Sequence, residues 1–198
     1  MTTTTIEKER KKYQIIYADP PWQYDDSKGY DPAMGGITYP TMPNQEIYDL
    51  PIAGLADRNC ILFLWATMPK LQEALNTISA WGFRYITCGF VWVKQNPSGK
   101  GIYSGLGHWV NGNAELCLIG KKGTPKRITK DVKQIVLSPR GRHSAKPNEV
   151  RERIIKLMGN LPRIELFARP DNQLNFDGKT SLDGWDVWGN EVESDIKL

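Results

Sequence analysis

The chain has 198 residues, of which 40% are hydrophobic, a size that suits one globular domain with a sizeable core and leaves little room for another. No apolar run approaches the roughly 18 residues that span a bilayer, and the polar, charged N-terminus is unlike a signal sequence. A soluble cytoplasmic protein without membrane contact is therefore expected. The widely spaced Cys60, Cys88 and Cys117 indicate neither a disulfide framework nor a zinc site, so buried reduced thiols and no metal are predicted.

The net charge of +4 is unevenly distributed along the chain. Residues 121–146 carry a charge of +8, so the rest of the chain carries −4. Against the single acid Asp131, the basic residues of this segment are Lys121, Lys122, Lys126, Arg127, Lys130, Lys133, Arg140, Arg142 and Lys146. Glycines, prolines and serines interrupt the segment, which is typical of a mobile loop. It is either an ordinary solvated face or a surface for a phosphate backbone.

The first predicted strand begins at residue 13 and leads into Asp19-Pro20-Pro21-Trp22. Both prolines lack an N–H donor and fix φ, so their carbonyl groups are held rigidly and are not expected to join a helix or sheet ladder. One interpretation is a stiff turn in which Trp22 fills a gap in the core. The other is a rigid cluster of acceptors beside an aromatic ring, suited to a flat molecule that carries an amino group.

Apolar patterns predict further strands and helices along the chain. Strands are predicted at residues 60–65, 83–93, 114–119 and 163–168, and helices at 69–81 and 147–158, the second closed by Gly159. Strands that alternate with helices predict an α/β fold, with a parallel sheet covered on both faces. Ligands bind beyond the carboxyl ends of such strands, so the exits at Asp19 and at Arg169–Asn172 are candidate sites. The glycine-rich fingerprints of common dinucleotide and nucleotide sites are absent from the sequence.

Five blocks of sequence stand in a fixed order. They are Asp19–Trp22, Gly107–Asn111, Glu115–Gly120 with Lys122-Gly123, Lys146–Glu149 and Ile164–Arg169. Together they resemble the MT-A family of S-adenosylmethionine-dependent N6-adenine methyltransferases, typified by the catalytic subunit of the eukaryotic messenger-RNA adenosine methyltransferase. The resemblance covers about residues 13–190. It implies a Rossmann-like class I methyltransferase fold with a permuted, β-type motif order, in which the catalytic block precedes the cofactor-binding strand.

The resemblance implies methyl transfer from S-adenosylmethionine to the N6 amino group of adenine, with DNA favoured over RNA as the nucleic-acid partner. The Asp19 carboxylate and the Pro20 carbonyl would accept the amino protons, Pro20 and Pro21 would keep both acceptors rigid, and Trp22 would stack on the base. A base in a duplex cannot reach such a pocket, so it must be flipped out or presented single-stranded.

The resemblance also assigns residues to the cofactor. They are Asp19, Lys146, Arg169, Asn172 and Asn190. Lys146 precedes a predicted helix start, where a lysine is disfavoured by the helix dipole, so an anionic partner such as the methionine carboxylate explains it. The chain departs from the family pattern at Asp171 and Glu191, where histidine and glutamine are common.

On the acceptor side, Tyr39 and Glu115 match family positions near the base. Their alternatives are a plain loop tyrosine and an exposed acid at a strand edge. His108 and Trp109 would line the nucleic-acid face, although an ordinary loop role is open for His108. The basic residues expected to contact nucleic acid are Lys121, Lys122, Lys126, Arg127, Arg140 and Arg142.

Residues 1–198 are expected to form a single methyltransferase domain with a flexible segment at 1–12 and no separate target-recognition domain. Selectivity would then come from residues 23–43 and 95–146 or from a partner chain, and a homodimer is open. The rival functions are methylation of adenosine in RNA and an inactive nucleic-acid-binding subunit. The second is disfavoured because Asp19, Lys146 and Asn172 are all present. Cytosine as the target is disfavoured by the pairing of an acid with tryptophan in the tetrapeptide.

Overall fold

The computed structural model describes residues 11–24, 40–105, 109–141, 145–170, 180 and 182–198. Seven strands in the described residues form one sheet. They are β1 Tyr13–Ala18, β2 Ala56–Ala66, β3 Arg84–Gln95, β4 Ala114–Lys122, β5 Ile135–Pro139, β6 Arg163–Leu166 and β7 Asp186–Trp188. The helices are α1 Asn44–Asp49, α2 Leu71–Ala80 and α3 Glu149–Met158, with short 3₁₀ turns at Ile52–Gly54 and Met68–Lys70.

The strand order is β5-β3-β4-β2-β1-β6-β7. Strand β4 is antiparallel to both of its neighbours, β2 and β3, whereas the other pairs are parallel. The expected all-parallel sheet is therefore wrong at β4, because residues 96–113 return the chain at the same edge instead of crossing over through a helix. We call the edge where β1, β2 and β6 end the carboxyl edge, and the opposite edge the amino edge. Strand β4 runs from the carboxyl edge to the amino edge.

Helices cover both faces of the sheet, as predicted. Along β2, Leu62 and Leu64 pack in the cluster that contains residues of α1 and α2, such as Ile47 and Ile78. The alternate side chains of β2 pack in the cluster of α3. Because β2 is apolar on both faces, it reads as a continuous hydrophobic run in the sequence.

The predicted helices are nearly right in extent. The expected helix at 69–81 is a 3₁₀ turn followed by α2, and the helix expected from residue 147 begins at Glu149. It ends at Met158, and Gly159 follows with φ +91°, a conformation that favours glycine. Strand β5 lies inside the basic segment that was expected to be a mobile loop, so that segment is partly regular structure.

Strand β5 forms one outer edge of the sheet and exposes Ile135 and Leu137. Arg153 of α3 donates from Nη1 to the carbonyl oxygens of Lys133, at 2.6 Å, and Ile135, at 2.7 Å. The same guanidinium pairs with Glu149. A charged side chain on the backbone of an edge strand is a common device against unwanted strand pairing.

The three cysteines are free, which confirms the prediction of reduced thiols. Cys60 and Cys117 are buried and Cys88 is half-buried. Burial raises the pKa of Cys60 to about 12. Over the described ranges, the structure has no helix of the length and apolarity needed to cross a membrane.

Candidate active site

A cleft opens at the carboxyl ends of β1 and β6. Its walls are formed by Tyr17, Asp19, Ala145, Lys146, Asn148, Arg151, Glu165, Phe167, Arg169 and Pro170. The two strand exits singled out in the sequence therefore line one cleft, together with the segment that leads into α3. Adjacent parallel strands end at the same edge, and β1 pairs with β6 from Ile15 to Ala18, which brings Asp19 and Arg169 together.

Asp19 is the first residue after β1, and its carboxylate meets Lys146. The Nζ atom of Lys146 lies 2.6 Å from Oδ2 of Asp19. Burial raises the pKa of the Asp19 carboxyl above its ordinary value of 3.8, and Lys146 offsets part of that increase. Among the described residues, Oδ1 of Asp19 makes no hydrogen bond. Asp19 is thus a fixed acceptor whose second oxygen is available to a ligand.

The backbone itself uses the carbonyl groups of the two prolines. Pro20 O accepts the N–H of Trp22 at 2.9 Å, and Pro21 O accepts the N–H of Met42 at 2.8 Å. As expected, neither carbonyl group joins a helix or a strand of the sheet, since the parallel bridge between Trp22 and Met42 is an isolated one. A carbonyl oxygen has two lone pairs, so Pro20 O can accept a further hydrogen bond.

Trp22 is 4% exposed and packs in the core cluster on the α1 and α2 face. Its indole Nε1 donates to the carbonyl oxygen of Trp65 at 3.2 Å. The structure thus gives Trp22 the core-filling role that the sequence left open. Stacking of Trp22 on a base stays a prediction, and it requires part of the indole face to become accessible.

Glu115 lies between two lysines at the start of β4. Its Oε1 lies 2.5 Å from Nζ of Lys94, and its Oε2 lies 3.2 Å from Nζ of Lys146. Glu115 is 5% exposed on a strand in the interior of the sheet, so the alternative of an exposed strand-edge acid is wrong. Burial acts to raise the pKa of Glu115, but Lys146 and Lys94 together hold it below its ordinary value.

These contacts form an alternating chain of charges from Asp19 through Lys146 and Glu115 to Lys94. The acids and lysines of the chain balance, so the cluster is close to neutral although it is largely buried. Asp19 and Glu115 raise the pKa of Lys146, against the effect of burial, so its ammonium stays charged. The sequence carried a signal for Glu115, since it alternates with Cys117 and therefore faces the same buried side of β4.

Sequence reasoning missed a second buried ion pair, which lines the cleft. Arg151 of α3 makes two hydrogen bonds to Glu165 of β6, Nε to Oε2 and Nη2 to Oε1, both 2.6 Å long. The guanidinium also lies 5.7 Å from the centre of the Tyr17 ring. An acid inside the apolar strand at 163–168 was the available signal. Arg151, three residues before the buried Ile154, occupies the buried stripe of α3.

The exit from β6 has an unusual backbone. Phe167 has a φ of +59°, a left-handed conformation that non-glycine residues rarely adopt and that often marks a functional site. The ring of Phe167 packs edge-on against Trp188, with 5.3 Å between ring centres. Gly189 fits closely here, because a Cβ atom at its position would lie 2.4 Å from the carbonyl oxygen of Ala168.

The remaining cofactor candidates lie at or beside this exit. Arg169 Nε lies 3.5 Å from Oε1 of Glu191, so the residue that departs from the family pattern forms an ion pair with a cleft residue. Asn190 is exposed next to Glu191 and does not line the cleft. Asn172 lies outside the described residues.

The acceptor candidates at the carboxyl edge include an exposed tryptophan. Trp109, in the connection between β3 and β4, is 97% exposed. Arg140 follows β5 at the same edge, donates from Nη1 to the hydroxyl of Tyr103 at 2.8 Å and lies over its ring. Tyr39, His108 and Arg142 lie outside the described residues.

The other basic candidates lie far from the cleft. Lys121 and Lys122 are at the end of β4, at the amino edge, and Glu115 is at its other end. The six residue steps from Glu115 to Lys121 span roughly 20 Å of strand. Lys126 and Arg127 follow, exposed, just before Ile128, whose N–H donates to Leu157 O near the end of α3. The basic candidates therefore divide between two edges of the sheet.

The protein has a twisted α/β sheet with a charged cleft over the ends of β1 and β6, and Asp19-Pro20-Pro21-Trp22 directly follows β1. This is the arrangement of a Rossmann-like methyltransferase. The family model of MT-A70 matches residues 13–191, and the chain belongs to the MT-A70 family. Methyltransferases of this family use S-adenosylmethionine as the methyl donor.

Several characterised proteins are similar in sequence. The Type II methyltransferase M.MunI of Mycoplasma sp is 35% identical over 204 residues, which cover 92% of this chain and 79% of the relative. The N(6)-adenosine-methyltransferase catalytic subunit METTL3 of Homo sapiens is 33% identical over 164 residues, 81% of this chain and 26% of the relative. An MT-A70-like protein of Drosophila melanogaster is 32% identical over 81% of this chain and 25% of the relative. The chain thus spans about a quarter of the length of the latter two relatives.

Proposed function

We propose that the protein methylates the N6 amino group of adenine in DNA, with S-adenosylmethionine as the methyl donor. The observation that carries this proposal is the single cleft in which Asp19, at the exit of β1, lies beside Lys146 and near Arg169 at the exit of β6. Membership of the MT-A70 family supports the chemistry. The alignment with a Type II methyltransferase over 79% of that relative supports DNA as the substrate.

The residues of the cleft fit the proposed cofactor. Lys146 and Arg169 supply positive charge for the carboxylate and hydrogen bonds for the sugar, and the ring of Phe167 supplies an aromatic surface in the cleft wall. When bound, S-adenosylmethionine supplies a methyl group that is activated by its positively charged sulfur.

Asp19 and Pro20 would act on the amino group of the base. The lone pair of that nitrogen is delocalised into the ring, which makes the nitrogen a poor nucleophile. Hydrogen bonds from its two protons to Asp19 Oδ1 and Pro20 O return electron density to the nitrogen, and both acceptors are already fixed by the surrounding backbone. The nitrogen must lose a proton as it gains the methyl group. Asp19, whose pKa is raised, is placed to accept that proton.

Glu115 and Lys94 would position Lys146 rather than bind the base. Both carboxylate oxygens of Glu115 are engaged by lysines, and Lys146 in turn holds Asp19. This restricts the rotamers of three charged side chains in the cleft, so that little reorganisation is required during the reaction. The acceptor role inferred for Glu115 from family resemblance becomes, in this proposal, an indirect one.

The target adenine has to leave the duplex to reach Asp19, at a cost of a few kcal/mol. The exposed Trp109 and the Arg140–Tyr103 pair stand at the same edge as the cleft and would contact the nucleic acid around the extruded base. We infer that selectivity comes from such loops in a single methyltransferase domain. The expected recognition sequence is therefore short or relaxed, and a stringent six-base-pair site in sequenced methylated DNA would contradict this.

Methylation of adenosine in RNA is the second candidate function, because relatives such as METTL3 carry the name N(6)-adenosine-methyltransferase. Transfer of a labelled methyl group to single- and double-stranded DNA and RNA oligonucleotides of one sequence would separate the two functions. We expect N6-methyladenine in digested DNA, detected by mass spectrometry, and none with Asp19→Ala. Product on RNA alone would favour the second function, and methylcytosine would overturn both.

A further inference from the structure

Five basic residues lie at the amino edge of the sheet, opposite the cleft. We call them the amino-edge patch: Lys12, Arg58, Arg84, Lys121 and Lys122. Arg84 and Lys121 are partners in the register of β3 with β4, and Lys122 is the partner of Cys60 in β2. The backbone of Arg58 lies against Gly123, immediately after β4. The patch therefore gathers the starts of β1, β2 and β3 around the end of β4.

Lys12 and Lys122 are tied to the same short turn. Lys122 Nζ donates to the carbonyl oxygen of Ala53 at 3.1 Å, and Lys12 Nζ donates to that of Gly54. Both acceptors are uncharged, so these hydrogen bonds anchor the two ammonium groups to one turn without neutralising them. Elsewhere in the molecule, Lys94, Lys146 and Arg151 all meet carboxylates.

Within the described residues, none of the five patch cations forms an ion pair. Asp57 directly precedes Arg58 in the sequence, and its Oδ1 accepts the N–H of Asn59. The excess positive charge of this edge is therefore left to solvent or to a partner.

Arg84 and Lys121 form a pair of like charges on neighbouring strands. Like charges directly opposite each other on neighbouring strands destabilise a sheet, and this pair stands at such positions. A polyanion laid along the edge would relieve that repulsion, because each phosphate neutralises the cations near it. The pair is thus a local cost to folding that becomes favourable when nucleic acid binds.

We propose that the amino-edge patch is a second binding surface for the sugar-phosphate backbone of duplex DNA, separate from the surface around the cleft. The proposal rests on DNA being the substrate. Because β4 separates the patch from Glu115 by roughly 20 Å, a short duplex with its base in the cleft cannot reach the patch without wrapping around the sheet. The patch would hold a neighbouring part of a long duplex and so retain the enzyme on DNA between turnovers.

The test is a triple variant, Arg84→Gln, Lys121→Gln and Lys122→Gln, compared with unsubstituted protein. Binding to a duplex of about 60 base pairs is measured across salt concentrations, since each phosphate contact contributes about 0.9 to the slope of log affinity against log salt. We expect the slope to fall by about 2 to 3 and the affinity at about 0.05 M salt to fall by about a thousandfold. Turnover on a duplex of about 10 base pairs, about 34 Å long, should stay within twofold.

The matched control is Lys133→Gln, Lys156→Gln and Lys197→Gln, which removes the same charge from exposed positions outside the patch. Lys156 is paired with Asp131. An equal loss of slope in the control, or no loss in the patch variant, overturns the proposal. A loss of turnover on the short duplex as large as the loss of affinity for the long duplex also overturns the proposal, since the patch would then belong to the surface around the cleft.

A second measurement does not depend on any variant. In unsubstituted protein, an acylating reagent followed by mass spectrometry reports how far bound duplex protects each lysine. Protection of Lys12, Lys121 and Lys122 by the long duplex, with Lys197 still modified, is expected, and unprotected patch lysines overturn the proposal. Neither binding measurement requires turnover. Failure of the proposed methylation is seen separately, as absence of labelled product.

Discussion

At the carboxyl edge, Lys94 and Lys146 lie against Glu115 and Asp19, whereas at the amino edge Arg84 and Lys121 stand opposite each other without an acid. The first edge is nearly neutral, and its charged groups are fixed. The second edge carries the five patch cations, which are exposed or partly exposed and form no ion pair among the described residues.

The difference shows that a count of basic residues along the chain is a poor guide to where a charge acts. Lys121 and Lys146 belong to one run of basic sequence, but the fold carries them to opposite edges of the sheet. At the carboxyl edge a cation orients other groups, so its loss should impair folding and chemistry. At the amino edge a cation acts through its field, so its loss should mainly affect the binding of partners.

The largest effect is expected from Asp19→Ala. Turnover should fall by about a thousandfold, because the fixed acceptor for the amino group is lost, while cofactor affinity stays within a few fold. Single-turnover kinetics and calorimetric titration with S-adenosylmethionine measure the two quantities. Asp131→Ala, which removes an exposed aspartate far along the chain, is the control. Substantial activity in Asp19→Ala would refute the mechanism.

Lys146→Met should weaken cofactor binding by about tenfold or more and destabilise the fold by about 3–5 kcal/mol. The reason for the second effect is that Asp19 loses its paired cation in a largely buried place and Glu115 keeps only Lys94. Denaturant unfolding measures the loss. A double variant that adds Glu115→Gln should recover part of the stability but not the cofactor affinity. If Lys146→Met were as stable as the parent, the cluster would not have the structural role assigned to it.

The pH dependence should distinguish the two acids of the cluster. Because the pKa of Asp19 is raised above 3.8, activity should fall on the acid side at a higher pH than for an ordinary aspartate, by about tenfold per unit. Glu115 has a lowered pKa, so its contribution to stability is complete above its ordinary value of 4.5 and is lost as pH falls through the lower folded value. As pH falls, activity should therefore be lost at a higher pH than the folded structure. An acid limb of kcat/KM below pH 3.8 would be inconsistent with this order.

Trp109→Ala should raise KM for DNA by about tenfold, since stacking of an aromatic ring on a base is worth about 1–3 kcal/mol. Unfolding free energy should change by less than about 0.5 kcal/mol, because the side chain is 97% exposed. Steady-state kinetics with DNA as the varied substrate measures the first effect. Trp109→Phe keeps an aromatic ring and should restore most of the affinity. Equal KM values for all three proteins would remove Trp109 from the acceptor surface.

The smallest effect has the opposite sign. Arg84→Thr should stabilise the protein by about 0.2–1 kcal/mol, because it removes a like-charge pair across β3 and β4 and introduces a residue favoured in strands. Its control lies at the other end of the same strand. Lys94→Thr makes a similar change at the carboxyl edge and should destabilise, since Glu115 loses a partner. If the unfolding free energies of the two variants changed with the same sign, the two edges would not differ in the way described.

The parts of the site that the sequence revealed are those set by local pattern. A strand that ends in Asp19 and another that ends before Arg169 could be recognised from apolar runs, and the rule for parallel strands placed both exits at one edge. The helix after Lys146 was recognised from its periodicity and from Gly159.

The parts that stayed hidden depend on which strands pair. Strand β5 is five residues long and sits among basic residues and a proline, so its local pattern is weak. The reversal of β4, and with it the arrival of Lys121 at the opposite edge from Glu115, follows from the return of residues 96–113, which no local pattern specifies. The buried pair of Arg151 with Glu165 was missed because each partner alone reads as a surface residue in a sequence.

The guanidinium of Arg153 has a consequence for the behaviour of the protein in concentrated solution. Strand β5 offers two aliphatic side chains and one free margin of the sheet, the combination from which fibrils and amorphous aggregates grow. Arg153 donates to two of the outward carbonyl oxygens, so these oxygens are not available to pair with a strand from another molecule. One arginine on a helix thus shields the backbone of an edge strand whose Ile135 and Leu137 remain in contact with water.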